Sequence, residues 1–287
     1  MKTALVTGGA GGVGLALSAA LSREGWDLLW VDRSDDLIRE GGKRLEASLD
    51  ASPRLAALAC DLSVAGAAER VHRWTRDLGR EVDLLVNNAG FASYATLCAI
   101  PLERDLAMLH VNVVALHCLT RLFLDGMLSR DRGTIVNIAS VAAIMPSPAF
   151  VAYSATKAFV RHYTRCLDLE FRALGSGVRA IAVCPAAIRD TGFQRTAGME
   201  RTGFFRSPIA TTPEEVARDI LRALRRGQRH LVTGRILRLV LPLARLLPDR
   251  VLLPSYRREM AATLRGGFLL PDAAGEVQRD GCGDEGT

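Results

Sequence analysis

The sequence predicts an α/β fold in which one doubly wound parallel sheet carries helices on both faces. Three observations lead there. Short apolar runs alternate with longer segments of helical pattern. The runs are continuously apolar rather than alternating, as strands buried on both faces must be. A glycine-rich turn joins the first run to the first helical segment.

The strand-like runs are TALVT (3–7), DLLWV (27–31), LAALA (55–59), DLLVN (83–87), TIVNIA (134–139) and VRAIAVC (178–184). Between them, segments 13–24, 35–50, 64–79, 102–128 and 152–174 are long enough for the crossover helices that parallel strands need. After Cys184 the pattern breaks into an irregular segment, 186–212, which reads as a substrate loop. TPEE then opens a helix: Thr212 caps it, Pro213 suits its first turn, and Glu215 completes a capping box. No linker or solenoid repeat interrupts the chain. The sequence therefore reads as a single dinucleotide-binding and catalytic domain over 1–270, with a helical extension at 235–265. Residues 271–287, rich in Gly and Asp, read as a disordered tail.

In the first βα turn, TGGAGGVG (7–14), Gly8, Gly12 and Gly14 allow a tight bend and close backbone approach. The helix that follows offers free N–H groups and its positive dipole end to a diphosphate. Asp32 ends the second strand 18 positions after Gly14, about where a carboxylate meets the adenosine ribose hydroxyls. A carboxylate there disfavours the extra phosphate of NADP(H), and no basic residue lies between Gly8 and Gly12 to offset it. NAD(H) is therefore favoured. Arg33, next in the chain, keeps NADP(H) as the second option.

Only three of the 37 basic residues are lysines: Lys2, Lys43 and Lys157. Lys157 lies four residues after Tyr153 in YSATK, so the two share a helix face. A phenol titrates near ~10. A neighbouring ammonium is expected to lower that value, and reaching about 7 takes roughly 4 kcal/mol. Such a tyrosine exchanges a proton with an alcohol or ketone near neutrality. Ser140, at the end of the fifth run, is placed to hold a carbonyl oxygen.

TGGAGGVG, CDL (60–62), NNAG (87–90), VN (111–112), NIAS (137–140) and YSATK, in that order, resemble the short-chain dehydrogenase/reductase family over about residues 2–232. The resemblance implies a Rossmann-like sheet of about seven strands and NAD(P)-dependent interconversion of a secondary alcohol and a ketone. It implies Tyr153 as general acid/base, Lys157 as its electrostatic partner and ribose ligand, Ser140 as carbonyl anchor, and Asn112 in a water-linked proton relay. It places Asp61 at the adenine, Asn88 and Gly90 beside the cofactor, Ile188 at the carboxamide and Thr191 at the carboxamide or diphosphate. Val13, Leu62, Ala89 and Pro185 complete the implied cofactor set. Homodimers or homotetramers follow from the same resemblance. One departure stands out: Ala186 occupies the position of the family's usual glycine in CPAAIRDTGF (184–193), within a run one residue longer than usual.

Phe91, Tyr94, Met145, Phe193, Met199, Phe204 and Phe205, with Arg195, Arg201 and Arg206 interspersed, suggest an apolar pocket for a hydrophobic ketone or alcohol: an acyl chain, a steroid or a polyketide. A nonredox epimerase or dehydratase, or a cofactor-binding scaffold without turnover, remains the alternative. The six cysteines show no metal spacing, so no metal is expected, and the opening KTALVT leaves no room for a signal peptide before the first strand. Both point to the cytoplasm. Net charge is +6, much of it C-terminal arginine without interleaved aromatics, which argues against nucleic-acid binding. In RILRLVLPLARLLPDRVLL (235–253) prolines and arginines argue against a spanning helix. It reads as a helix buried against its own domain or a partner copy, with peripheral membrane contact as the other option.

Overall fold

The computed structural model describes residues 2–189, 191–199 and 209–234, together with positions 205, 207, 236–238, 241, 248, 250, 251, 254, 257 and 258. Seven parallel strands form one sheet in the order β3-β2-β1-β4-β5-β6-β7. They are β1 (Thr3–Thr7), β2 (Asp27–Asp32), β3 (Leu55–Ala59), β4 (Leu84–Asn87), β5 (Gly133–Ile138), β6 (Val178–Cys184) and β7 (His230–Val232). The strand order reverses between β1 and β4, which opens a crevice at their carboxyl ends.

The six apolar runs match β1 to β6 within a residue or two. Three-residue β7 carries no run long enough to be read from the residues alone. Neighbours along β1 bury on opposite faces. Val6 joins Leu17, Trp30, Ile181 and Ile220 beneath α1 (Gly12–Arg23). Leu5 joins Leu85, Leu119, Phe123, Met127 and Phe171 on the other face. Helix α2 (Asp35–Ala47) follows β2, with Ser34 accepting from the Leu37 N–H as its cap. Helix α3 (Ala67–Asp77) starts three residues later than the pattern suggested.

The expected helix 102–128 forms as one run, Leu102–Ser129, with a π-helical turn inside it. It comprises α4 (Leu102–Leu109), a π-helical turn (His110–Ala115) and α5 (Leu116–Ser129). An 18-residue window within Leu102–Ser129 is apolar enough to span a bilayer, with mean hydropathy 1.5. The run's buried residues Leu119, Phe123 and Met127 nonetheless pack on Leu85 and Ile135 of the sheet, as a core helix does. Helix α6 (Val151–Ala173) carries the Tyr-Lys pair. The 186–212 segment holds one short helix, α7 (Phe193–Thr196). Helix α8 (Pro213–Arg226) has the expected capping box: the Glu215 N–H donates to Thr212 Oγ1 at 3.3 Å, and the Thr212 N–H to Glu215 Oε2 at 3.0 Å. Most of the 235–265 extension and all of the 271–287 tail lie outside the described residues.

Candidate active site

The glycine turn is held by backbone geometry. Gly8 and Gly12 adopt left-handed φ of 63° and 50°. A side chain on Gly14 would collide with the Gly8 carbonyl. The Ala10 N–H donates to Asp32 Oδ2 (3.1 Å), which fixes that carboxylate beside the turn at the end of β2. Arg33 is exposed next to it. From β4, Asn88 Nδ2 donates to the carbonyls of Thr7 (2.9 Å) and Gly8 (3.0 Å), bracing the turn from below. The exposed carboxylate of Asp61 accepts from the Ser63 N–H (2.8 Å), while Leu62 and Val13 are buried.

Thr191 returns to the same place. Its methyl lies 3.5 Å from where a Cβ on Gly12 would be, and its hydroxyl donates to the Ile188 carbonyl at 3.4 Å. The longer run after Pro185 therefore does not displace Thr191 from the turn. Nor does Ala186 need a glycine's freedom, since its φ is not left-handed. It is buried against Leu237 and Leu241 of the C-terminal extension, and its N–H donates to Thr233 Oγ1 at 3.3 Å. The alanine methyl docks the extension.

At the ends of β4 and β5, α6 brings its pair together. Tyr153 and Lys157 are 7% and 5% exposed, and Lys157 Nζ lies 5.7 Å from the Tyr153 ring centre. The ammonium donates to the Ile138 carbonyl (2.9 Å). Ser140 Oγ accepts from the Ala142 N–H (3.1 Å) and shares a hydrogen bond with Tyr153. Asn112, inside the π-helical turn, donates to the Phe91 carbonyl (3.0 Å) and Thr156 Oγ1 (3.1 Å), and accepts from the Phe91 N–H (3.2 Å). Its amide thus ties the Ala89–Phe91 segment to α6. Gly90 makes the convergence sterically possible: a Cβ there would stand 2.8 Å from Asn112 Oδ1 and 3.3 Å from Lys157 Nζ.

The electrostatics differ from the expectation of a phenol drawn toward neutrality. Burial pushes Tyr153 up to about 12, against the opposing hydrogen bond from Ser140. Burial also pulls Lys157 down to about 8, against the neighbouring Cys184 sulfur. Desolvation penalises both charged forms, and the ammonium spends a donor on Ile138 rather than on the phenol. A phenol pushed in that direction holds its proton at neutral pH.

Tyr153 sits in an aromatic and apolar cluster with Ala92, Tyr94, Met108, Met199 and Phe205. The rings of Phe150 and Phe193 lie 5.1 and 5.8 Å from its own. Phe91 packs at the cluster's edge. Met145 does not belong to it, and Phe204, Arg201 and Arg206 lie outside the described residues. Arg195 is exposed on α7.

Sequence reasoning missed Arg104 on α4. Its guanidinium donates to Ser93 Oγ (2.9 Å) and the Thr196 carbonyl (2.5 Å), and lies 5.5 Å over the Phe91 ring. It joins α4, the post-β4 loop and α7 over the pocket. An arginine in a helix of mixed pattern gives no signal of this; only the docking of distant loops reveals it. Phe150, too, was missed, because nothing local marks it as a pocket wall. Among the described residues, no group of three His, Cys, Asp or Glu could hold a metal ion.

The short chain dehydrogenase family profile matches residues 2–201. The chain belongs to that family. Among curated relatives, the very-long-chain 3-oxoacyl-CoA reductase of Rattus norvegicus is 32% identical over 182 residues, covering 62% of this chain and 57% of the rat enzyme. The D-beta-hydroxybutyrate dehydrogenase of Cupriavidus necator is 33% identical over 184 residues, covering 64% of this chain and 69% of that one. Among solved structures, a short-chain dehydrogenase from Sphingobium yanoikuyae in complex with NADPH shares 26% identity over 99% of both chains, with TM-score 0.72. This family member thus spans little more than half the length of the rat relative it matches.

Proposed function

We propose that the protein interconverts a bulky hydrophobic ketone and its secondary alcohol with a nicotinamide cofactor, Tyr153 carrying the proton. The observation that bears most weight is the meeting of Tyr153, Ser140 and Lys157 in one buried pocket beside the glycine turn. A nicotinamide cofactor held there would supply or take up the hydride at the substrate carbon. The chain's own residues bind, orient and move the proton. Ser140 and the phenol both present O–H groups to a carbonyl oxygen, whose developing negative charge they stabilise. Tyr153 Oη then gives its proton to that oxygen. A neutral phenol holds the right protonation state for reduction, so neutral pH favours ketone to alcohol. Lys157 supports the resulting phenolate while it keeps its own proton, and reduction is expected to decline as pH rises through about 8.

The residues present fit a dinucleotide. Gly8, Gly12, Val13 and Gly14 form the diphosphate turn; Asp32, Asp61 and Leu62 line the adenosine side; Asn88, Ala89 and Gly90 border the middle. Pro185 and Ile188 would border the nicotinamide end and Thr191 the diphosphate turn, with Lys157 on the ribose. NAD(H) is favoured over NADP(H), because Asp32 is fixed beside the turn and Asp35 and Asp36 open α2 nearby. Asn112 ties the Gly90 segment to α6 and supports a water-linked proton path. The aromatic cluster around Tyr153 supports an apolar substrate, as do the relatives named for long acyl chains. A homodimer or homotetramer in the cytoplasm completes the reading: Leu102, Leu106 and Leu109 project from α4 at i, i+4 and i+7 with 39–67% exposure, an apolar stripe for a second copy.

A ketone panel with NADH and NADPH tests this by absorbance. Turnover of long-chain or polycyclic ketones with NADH, faster than with NADPH and faster than small polar ketones, is expected. Equal turnover of small polar and bulky ketones would overturn the substrate class, and product formed without net NADH consumption would indicate a nonredox reaction.

A further inference from the structure

Beside the catalytic pocket lies a second concavity that the proposed chemistry does not use. It is a cleft of about 470 Å³ between the foot of the 186–211 loop, one face of α8 and the start of the C-terminal extension. Arg189, Arg218, Arg222 and Arg238 line it, against two carboxylates, Glu215 and Asp219. Both carboxylates are engaged. Asp219 takes Arg222 (2.8 Å) and Arg238 (2.6 Å), and Glu215 closes the capping box on Thr212. Arg189 spends one N–H on the Ala210 carbonyl (2.9 Å). Arg218 has no hydrogen bond or ion pair among the described residues. Thr211 also lines the cleft, and its buried hydroxyl has no partner among the described residues. The walls thus carry two more positive than negative groups, counting four guanidinium and two carboxylate side chains. Guanidinium groups gathered in a concavity match the planar, bidentate acceptors of a phosphate.

The cleft and the catalytic pocket share a wall. The Thr211 N–H donates to the Ala187 carbonyl, and the Arg189 N–H to the Thr211 carbonyl. Ala187 packs in the cluster around Tyr153, whereas Arg189 lines the cleft. Two residues of extended chain span at most about 7 Å. A ligand with a ketone at Tyr153 and a phosphate on a flexible arm can therefore engage both.

We infer that this cleft binds the phosphate-bearing part of the substrate, a coenzyme-A-type thioester of a 3-oxo acid whose acyl chain occupies the apolar pocket. The inference rests on the proposed ketone reduction and narrows its substrate. In the test, one 3-oxoacyl chain is offered as its coenzyme A thioester and as its N-acetylcysteamine thioester, which presents the same ketone without phosphate. Arg218 is exposed on α8, so Arg218→Glu and Arg218→Lys leave the core untouched. The wild type is expected to prefer the coenzyme A thioester in kcat/KM. Arg218→Glu should erase about tenfold of that preference, with the N-acetylcysteamine thioester unaffected, and Arg218→Lys should keep most of it. An unchanged coenzyme A preference in Arg218→Glu, an equal loss for both thioesters, or turnover of other bulky ketones but neither thioester would overturn the assignment. Loss of binding to phosphatidylglycerol vesicles in Arg218→Glu, with thioester kinetics unchanged, would instead assign the cleft to a lipid headgroup. Absence of turnover with every bulky ketone would sink the underlying reductase reading rather than the cleft alone.

Discussion

The two halves of the site are built by different means. The cofactor half, around β1, β2 and β4, is made of backbone. Its turn needs left-handed glycines, Gly14 because a side chain would strike Gly8, and Asn88 because its amide caps two carbonyls from below. The substrate half is made of side chains from separate segments, among them Phe91 to Tyr94, Met108 of α4, Phe150 to Tyr153, α7 with Met199, and Phe205. Arg104 fastens three of its neighbours together. A backbone-built site tolerates almost no change. One assembled from loops can be re-shaped for a new substrate without disturbing the sheet.

The sharpest way to break this contrast is to put an alanine on each side of it. Gly14→Ala should destabilise the protein by about 3 kcal/mol or more and abolish NADH binding, read by thermal melting and a fluorescence titration. Phe193→Ala should leave the melting temperature within a few degrees and shift the ketone range. Should both variants melt alike and bind NADH alike, the distinction fails.

Lys157 joins the two halves and should expose the cost of that position. Its folded value, about 8, lies below the ordinary 10.5. The penalty for burying its charge is therefore present at pH 7 and fades as pH climbs from about 8 toward 10.5. Lys157→Met should stabilise the apo-protein at pH 7 by about 3 kcal/mol while removing activity. The gap between variant and wild type should close by pH 10.5, as followed by urea unfolding at both pH values. A variant less stable at pH 7 would show that the bond to Ile138 outweighs desolvation.

A smaller effect is expected at Arg104. Arg104→Ala should raise amide exchange across α7 and raise KM for a bulky ketone several-fold, corresponding to about 1 kcal/mol, with NADH affinity unchanged. Unchanged exchange in residues 193–199 would show that Arg104 does not hold α7 in place.

The same contrast explains what was legible in the sequence. Strands β1 to β6 show as apolar runs because burial on both faces leaves few polar positions, and the glycine turn shows because sterics admit few residues there. YSATK shows through helix periodicity. Three-residue β7, the π-helical turn around Asn112 and the Arg104 contacts depend on partners far along the chain, so no local pattern announces them. Ala186 looked like a defect in the family pattern. Its reason, a methyl packed on Leu237 and Leu241, lies some 50 residues away. The direction of the Tyr153 shift was misjudged for a related reason: spacing places the ammonium, but only the fold reveals how completely water is removed from both groups.

The central claim is that the Tyr153 phenol delivers the proton in ketone reduction. The direct measurement is a single turnover of pre-bound NADH with a bulky ketone, comparing wild type with Tyr153→Phe by absorbance decay. Unchanged NADH affinity with NADH oxidation slowed at least about 100-fold is the expected result. Oxidation within a few-fold of wild type would contradict the claim.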